Sequence, residues 1–174
     1  MISTKIKFLV VGGDGLIGSS LVHFLKNANE SVISTTRKKS IDCSDRKYLD
    51  LKDDLSDWNL NDSVDVAVFC SGMTKVDHCE SDKSTSRIVN VVNVCRLAGI
   101  LADKGARIIF LSSNAVFDGS KEYPSHEDAV SPVTEYGRQK VEVEKQLIEE
   151  YPSRVTILRL TKVLGMRNPL FDDW

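Results

Sequence analysis

Tyr136 and Lys140 stand four residues apart in a stretch, Val133 to Tyr151, whose pattern predicts a helix stopped by Pro152. That spacing puts both side chains on one helical face, about 6 Å apart along the axis. Val143 and Leu147 continue the same face. A phenol and an ammonium so placed can do acid–base chemistry. A carbonyl that receives hydride must be protonated on oxygen, and a tyrosine supplies the proton if its pKa, near ~10 in model peptides, is brought toward neutrality. An adjacent ammonium does this by favouring the phenolate. A serine hydroxyl can hold the carbonyl oxygen meanwhile, and Ser113 ends a predicted strand upstream. Tyr48 and Lys52 share the spacing but lie in a polar, poorly periodic region without a serine partner. The plainer alternatives are an exposed helix lysine for Lys140 and a strand-end residue bonding local backbone for Ser113.

A second group binds rather than reacts. Gly12-x-x-Gly15-x-x-Gly18 follows the apolar run Phe8–Val11 and opens a stretch in which Ile17, Leu21, Phe24, Leu25 and Ala28 recur at helical spacing. Glycine suits such a loop because the turn is tight, the backbone must approach a pyrophosphate, and the helix must pack closely on the strand. The helix N-terminus then offers free N–H groups to the phosphates. The alternative is a structural strand-to-helix turn. NAD binders usually place an acid at the end of the second strand for the ribose hydroxyls. Here that region reads Ser34-Thr35-Thr36-Arg37-Lys38-Lys39, with no acid and three consecutive cations. Arg37 can pair with a 2′-phosphate through its planar fork. The expected cofactor is NADP, with NAD as the alternative.

These groups need a scaffold, and the chain alternates strands and helices. Predicted strands run over Phe8–Val11, Ser31–Thr36, Val64–Cys70, Arg107–Leu111 and Val155–Leu160, with a short extended piece at Tyr48–Leu51. Ile88, Val91, Val92, Cys95, Ala98 and Ala102 share one helical face, closed by Gly105 in a left-handed cap. A long loop carries Pro124 and Pro132. Repeated β-α-β units imply an α/β fold, a doubly wound parallel sheet of the Rossmann type with helices on both faces. We expect residues 1–165 to form the dinucleotide-binding domain and 166–174 to begin a substrate-binding region that is cut short.

Composition excludes several classes. The 174 residues carry 23 Lys plus Arg against 25 Asp plus Glu, a net charge of −2, which gives no support to nucleic-acid or anionic-membrane binding. No apolar run approaches the ~18 residues of a membrane span, and a soluble, cytoplasmic protein is expected. Cys43, Cys70, Cys79 and Cys95 include no C-x-x-C pair, so no metal site is expected. Cys70 and Cys95 read as small buried hydrophobes. His23, His78 and His126 pair with no nucleophile, and Glu142, Glu144, Glu149 and Glu150 read as the solvated face of the last helix.

Taken together, these residues resemble the extended short-chain dehydrogenase/reductase superfamily from Lys5 to about Gly165, and within it the dTDP-4-dehydrorhamnose reductase, or RmlD-type, family of sugar-nucleotide reductases. Gly12 to Gly18, including Leu16 and Ile17, resembles the cofactor loop. Asp50-Leu51 resembles the acidic–aliphatic pair at the adenine, and Cys70-Ser71-Gly72-Met73-Thr74 the segment lining the cofactor cleft. Asn90-Val91 resembles the helix asparagine motif, and Ser112-Ser113-Asn114-Ala115-Val116-Phe117-Asp118-Gly119 the strand end that carries the catalytic Ser/Thr. Asp128, Pro132 and Tyr136 keep the family spacing, Tyr136-Gly137-Arg138-Gln139-Lys140 matches Tyr-Gly-x-x-Lys, and Arg159 and Gly165 resemble the strand before the substrate region.

The resemblance implies that Tyr136 donates a proton, that Lys140 binds the nicotinamide ribose and lowers the pKa of Tyr136, and that Ser113 orients the substrate carbonyl. It further implies a nucleotide-linked 4-keto-6-deoxy sugar as substrate, and it allows a homodimer. The family's Asp-Tyr pair is here Asn114-Ala115, which removes a charge and a ring beside the substrate pocket. Two other readings share the scaffold: a sugar-nucleotide epimerase or dehydratase that regenerates its cofactor, and a non-catalytic NADP-binding regulatory subunit. Because relatives hold the sugar nucleotide largely with their C-terminal part, weak or absent turnover is expected of these 174 residues alone.

Overall fold

Six strands form one parallel sheet in the computed structural model, which describes residues 5–163. They are β1 (Lys7–Val11), β2 (Ser31–Thr36), β3 (Arg46–Tyr48), β4 (Val66–Phe69), β5 (Arg107–Ser113) and β6 (Val155–Leu160), in the spatial order β3-β2-β1-β4-β5-β6. The order reverses between β1 and β4. A doubly wound sheet opens a crevice beyond the carboxyl ends of its strands at such a point. The bounds expected for β2 and β6 match, whereas the extended piece expected at Tyr48–Leu51 is displaced toward the N-terminus. The expected start of a substrate region, 166–174, lies outside the described residues.

Among the described residues five α-helices accompany the sheet: α1 (Leu16–Asn27), α2 (Val76–Ser81), α3 (Lys83–Arg87), α4 (Asn93–Asp103) and α5 (Glu135–Glu150). A π turn at Ile88–Val92 joins α3 to α4. One sheet face packs Leu9, Ala67, Ile108 and Phe110 against Leu97, Leu101, Val143 and Leu147 of α4 and α5. On the other face α1 packs Leu25 on Val10 and Val32. Farther along that face Leu158 is exposed and Leu111 half-buried.

Two stripes differ from expectation for identifiable reasons. Ile88 and Val92 are exposed, while Val89, Val94, Leu97 and Leu101 are buried. The π turn inserts an extra residue per turn, so the apolar face changes phase in mid-helix. Phe24 is exposed because α1 is turned to bury Gly18 and Leu25. The run Lys83–Asp103 is long and apolar enough to cross a membrane by length and composition, but 61% of that stretch is buried inside the protein. It serves as a core helix here.

Gly18 fixes how deep α1 sits, since a Cβ there would collide with the carbonyl oxygen of Gly12. Gly105, at φ +98°, is instead required for its left-handed backbone and has open space around it. It ends α4 with its N–H on Ala102 and the Ala106 N–H on Leu101. Gly18→Ala should therefore lose about 3 kcal/mol or more in urea denaturation, because backbone cannot rotate away from the clash. Gly105→Ala should lose about 1–2 kcal/mol, from conformation alone.

Candidate active site

The glycine loop is pinned to the end of β2. The Gly12 N–H donates to Thr35 Oγ1 at 2.8 Å, and the Gly13 N–H to the Thr35 carbonyl at 3.0 Å. Gly12 sits at φ +90°, and a Cβ there would lie 2.9 Å from the Ser71 backbone nitrogen. The turn is thus wedged between the ends of β2 and β4 without room for a side chain. Gly15 then caps α1, with no side-chain cap and no acid in the first turn. The first-turn N–H groups, which include those of Leu16, Ile17 and Gly18, are left for an external acceptor.

A cleft of about 210 Å³ opens in front of this loop. Gly12 and Gly15 line it, as do Arg37, Asp50, Leu51, Cys70, Ser71 and Gly72. Leu16, Ile17 and Gly18 are absent from its lining. Thr74 is exposed and outside the lining; Met73 stands there instead. Asp14, Thr35, Thr36, Leu49, Lys52 and Val89 also line the cleft and were not anticipated. Ser71 Oγ is buried without a hydrogen-bond partner among the described residues. Burial pushes the Cys70 thiol up to about 11, so it is a protonated wall rather than a nucleophile. Cys79 is fully buried with its pKa raised by that burial, and Cys95 is pushed up to about 12.

Asn90 does not reach the cleft. It is buried in the π turn, where its Oδ1 accepts from the Met73 N–H at 2.7 Å. Its Nδ2 donates to the Met73 carbonyl at 2.9 Å and to Gln139 Oε1 at 2.8 Å. Both ends of the amide are occupied, so Asn90 clamps the segment after β4 instead of contacting a ligand. Gln139 passes the connection on, donating to Ser86 Oγ at 2.8 Å. The cleft wall and the helix bearing Tyr136 and Lys140 therefore share one buried polar network.

That helix, α5, starts at Thr134, whose Oγ1 accepts from the Gly137 N–H at 3.1 Å. A Cβ on Gly137 would collide with the Ala115 carbonyl oxygen. The helix therefore lies directly on the 3₁₀ turn Asn114–Val116 that follows β5, and this contact brings Tyr136 beside Ser113. Lys140 is buried, donates to the Leu111 carbonyl at 2.8 Å, and has its Nζ 4.4 Å from the Phe110 ring centre and 5.6 Å from that of Tyr136. Burial pushes its pKa down to about 8. Ser113 Oγ accepts from the Ala115 N–H at 3.2 Å. Ser113, Tyr136 and Lys140 are brought together at the carboxyl end of β5. They stand outside the lining of the cleft, which reaches Ser71–Met73 at the end of β4.

Two expectations about charged and acidic groups need correction. Tyr136 is not acidified here: burial raises its pKa, and the Ser113 hydroxyl opposes this in part. The ammonium expected to lower it is engaged with the Leu111 carbonyl. Glu144 is not on a solvated face. It is 3% exposed and takes Arg159 Nε and Nη2 at 3.1 and 2.7 Å. Tyr48 ends a strand, and its hydroxyl donates to Asp53 at 2.7 Å, so its match in spacing with Lys52 is incidental. Among the described residues no cluster of three or more His, Cys, Asp or Glu is placed to hold a metal ion.

The strand order and the glycine-loop crevice define a Rossmann-type α/β protein. The chain belongs to the family described as the RmlD substrate binding domain, which matches residues 6–172. It is 32% identical over 162 residues to a dTDP-4-keto-6-deoxy-D-glucose reductase of Streptomyces niveus, covering 91% of this chain and 53% of that protein. A crystal structure of a dTDP-4-dehydrorhamnose reductase from Clostridium acetobutylicum superposes with a TM-score of 0.79 at 27% identity, covering 94% of this chain and 56% of the other. The corresponding reductase of Bacillus anthracis, solved in complex with NADP, shares the fold with a TM-score of 0.79 at 18% identity, covering 97% of this chain and 57% of that one. The chain thus spans about half the length of these relatives.

The buried lysine gives a pH test. Its pKa falls from 10.5 when exposed to about 8 when folded, so protonated Lys140 costs stability below pH 8. The cost is on the order of 3 kcal/mol and lifts as the pH rises between those two values, where the unfolded chain still binds the proton. In Lys140→Met that increment should vanish. The stability difference, variant minus wild type, should be most positive near neutral pH and fall toward pH 10.5 in urea titrations.

Proposed function

We propose that this chain binds NADPH across the glycine-loop cleft and supplies the proton in reduction of a nucleotide-linked 4-keto-6-deoxy sugar. The observation that carries the reading is the convergence of Ser113, Tyr136 and Lys140 at the end of β5, next to a cleft built on a glycine loop. The cleft suits a dinucleotide on three counts. Its glycines leave backbone exposed where a Cβ would not fit, the first turn of α1 offers uncapped donors, and the orphaned Ser71 hydroxyl needs a partner. The relatives are named as reductases of this class.

Gly12, Gly15 and the first turn of α1 would hold the pyrophosphate, Asp50 and Leu51 the adenine side, and Arg37 a 2′-phosphate. When bound, the reduced nicotinamide supplies the hydride. Everything else falls to the chain. Ser113 holds the carbonyl oxygen by its hydroxyl. Tyr136, kept protonated by burial, gives its proton to that oxygen as charge develops there. A raised pKa serves this direction of reaction, because the phenol must arrive with its proton. Lys140, mostly an ammonium at neutral pH, turns to the nicotinamide ribose and stabilises the phenolate left behind. The intact Ser113, Tyr136 and Lys140 set favours an enzyme over a purely regulatory subunit. The half of the relatives that this chain does not span is where we place most sugar-nucleotide contacts.

Calorimetry should show saturable NADPH binding. Lys140→Met should weaken it about tenfold, the worth of one charge-assisted hydrogen bond. Tyr136→Phe should leave affinity within about twofold while abolishing NADPH oxidation wherever the 4-keto sugar nucleotide supports it. Absence of NADPH binding, or an active Tyr136→Phe, would contradict the reading.

A further inference from the structure

The end of β2 carries no acid in sequence, and that absence pointed to NADP. The fold brings an acid there from another segment. Asp14, inside the glycine loop, lines the same cleft as Arg37. Its Oδ2 accepts from Thr36 Oγ1 at 2.7 Å, and Thr36 is the last residue of β2. Its Oδ1 pairs with Arg46 on β3. Thr36 Oγ1 in turn accepts from the Lys38 N–H at 3.1 Å, which ties the chain just after Arg37 to the same spot. The carboxylate is thus held at the mouth of β2 beside the cation expected to meet a 2′-phosphate. It is not sealed off, since its side chain is 42% exposed.

The chemistry there is two-sided. An ionised carboxylate only accepts hydrogen bonds, so it can take them from ribose hydroxyls but offers none to a phosphate. A 2′-phosphate beside it meets like charge, while Arg37 attracts the same group through its fork. Arg46 sets the balance, because its guanidinium neutralises part of the Asp14 charge from the side. Resting on the cofactor reading above, we infer that Asp14 is a specificity-determining residue: it accepts from the 2′-hydroxyl of NADH and opposes the 2′-phosphate of NADPH, so that the chain takes either nucleotide.

The test is the ratio of NADPH to NADH affinity, measured by nucleotide fluorescence on the whole chain without any substrate. Wild-type affinities should lie within about tenfold of one another, a difference of about 1.4 kcal/mol. Asp14→Asn keeps an acceptor for the Thr36 hydroxyl but removes the charge, and should shift the ratio about fivefold to tenfold toward NADPH. Arg37→Met should shift it the other way. Arg46→Met leaves the Asp14 charge uncompensated and should also move the ratio toward NADH. In the double variant Asp14→Asn/Arg46→Met the ratio should return to that of Asp14→Asn, because Arg46 acts through Asp14.

A purely structural tie between loop and strand would move both affinities together. An unchanged ratio in Asp14→Asn, with melting temperature retained and both nucleotides still bound, would overturn the inference and leave the reductase reading standing. If Asp14→Asn does not fold, the Arg46→Met shift decides: movement toward NADH supports the inference, and no movement overturns it. Failure of wild-type protein to bind either nucleotide would instead remove the reductase reading, and this inference with it.

Discussion

Lys140 carries its ammonium into the interior at the carboxyl end of β5, where the Leu111 carbonyl at 2.8 Å and the Phe110 ring take the place of water. This burial governs the rest of the site. The helix must lie close enough to the sheet for a lysine side chain to end against strand backbone. Gly137 permits that approach by leaving the Ala115 carbonyl room, and Gln139 and Glu144 satisfy the polar groups that go in with it. Tyr136, one turn before Lys140, is then fixed beside Ser113. A charge in that position lowers stability unless a ligand shares it, which is a common signature of groups kept for binding rather than folding.

The two halves of the site are built on different strands and joined by hydrogen bonds. The glycine loop belongs to β1, β2 and β4, and the reactive side chains belong to β5 and α5. Asn90 clamps Met73 at the cleft wall and also donates to Gln139 on α5. Its place in a π turn follows from the extra residue there, which rotates Asn90 inward without turning the later apolar face out of the core. The cleft wall and the helix are therefore joined through one buried amide.

Periodicity and punctuation in the sequence sufficed for the alternation of strands and helices and for the doubly wound parallel sheet, whereas the spatial strand order comes from the structure. Spacing and family resemblance singled out Ser113, Tyr136 and Lys140, which the fold brings together. β2 and β6 are bounded as expected because a turn precedes each strand. Three of the misses share a cause: each depends on contacts between distant segments. Asn90 looked like a ligand contact, but its partners Met73 and Gln139 lie 17 and 49 residues away. Glu144 matched a charged helix face until Arg159 on β6 came beneath it. Asp14 was passed over inside a glycine loop, since its closeness to Thr36 arises from the pairing of β1 with β2. The phase change at Ile88–Val92 has no period of its own to be seen by.

Titration of Lys140 by nitrogen-15 NMR at its side-chain ammonium tests the central arrangement most directly. In the free protein the amine should titrate at about 8. With NADPH saturating the glycine loop, negative charge and ribose acceptors beside the ammonium should move that titration upward by about one unit or more. A value that stays where it was, with NADPH demonstrably bound, would mean that the nicotinamide end of the cofactor never meets the Ser113–Tyr136–Lys140 group.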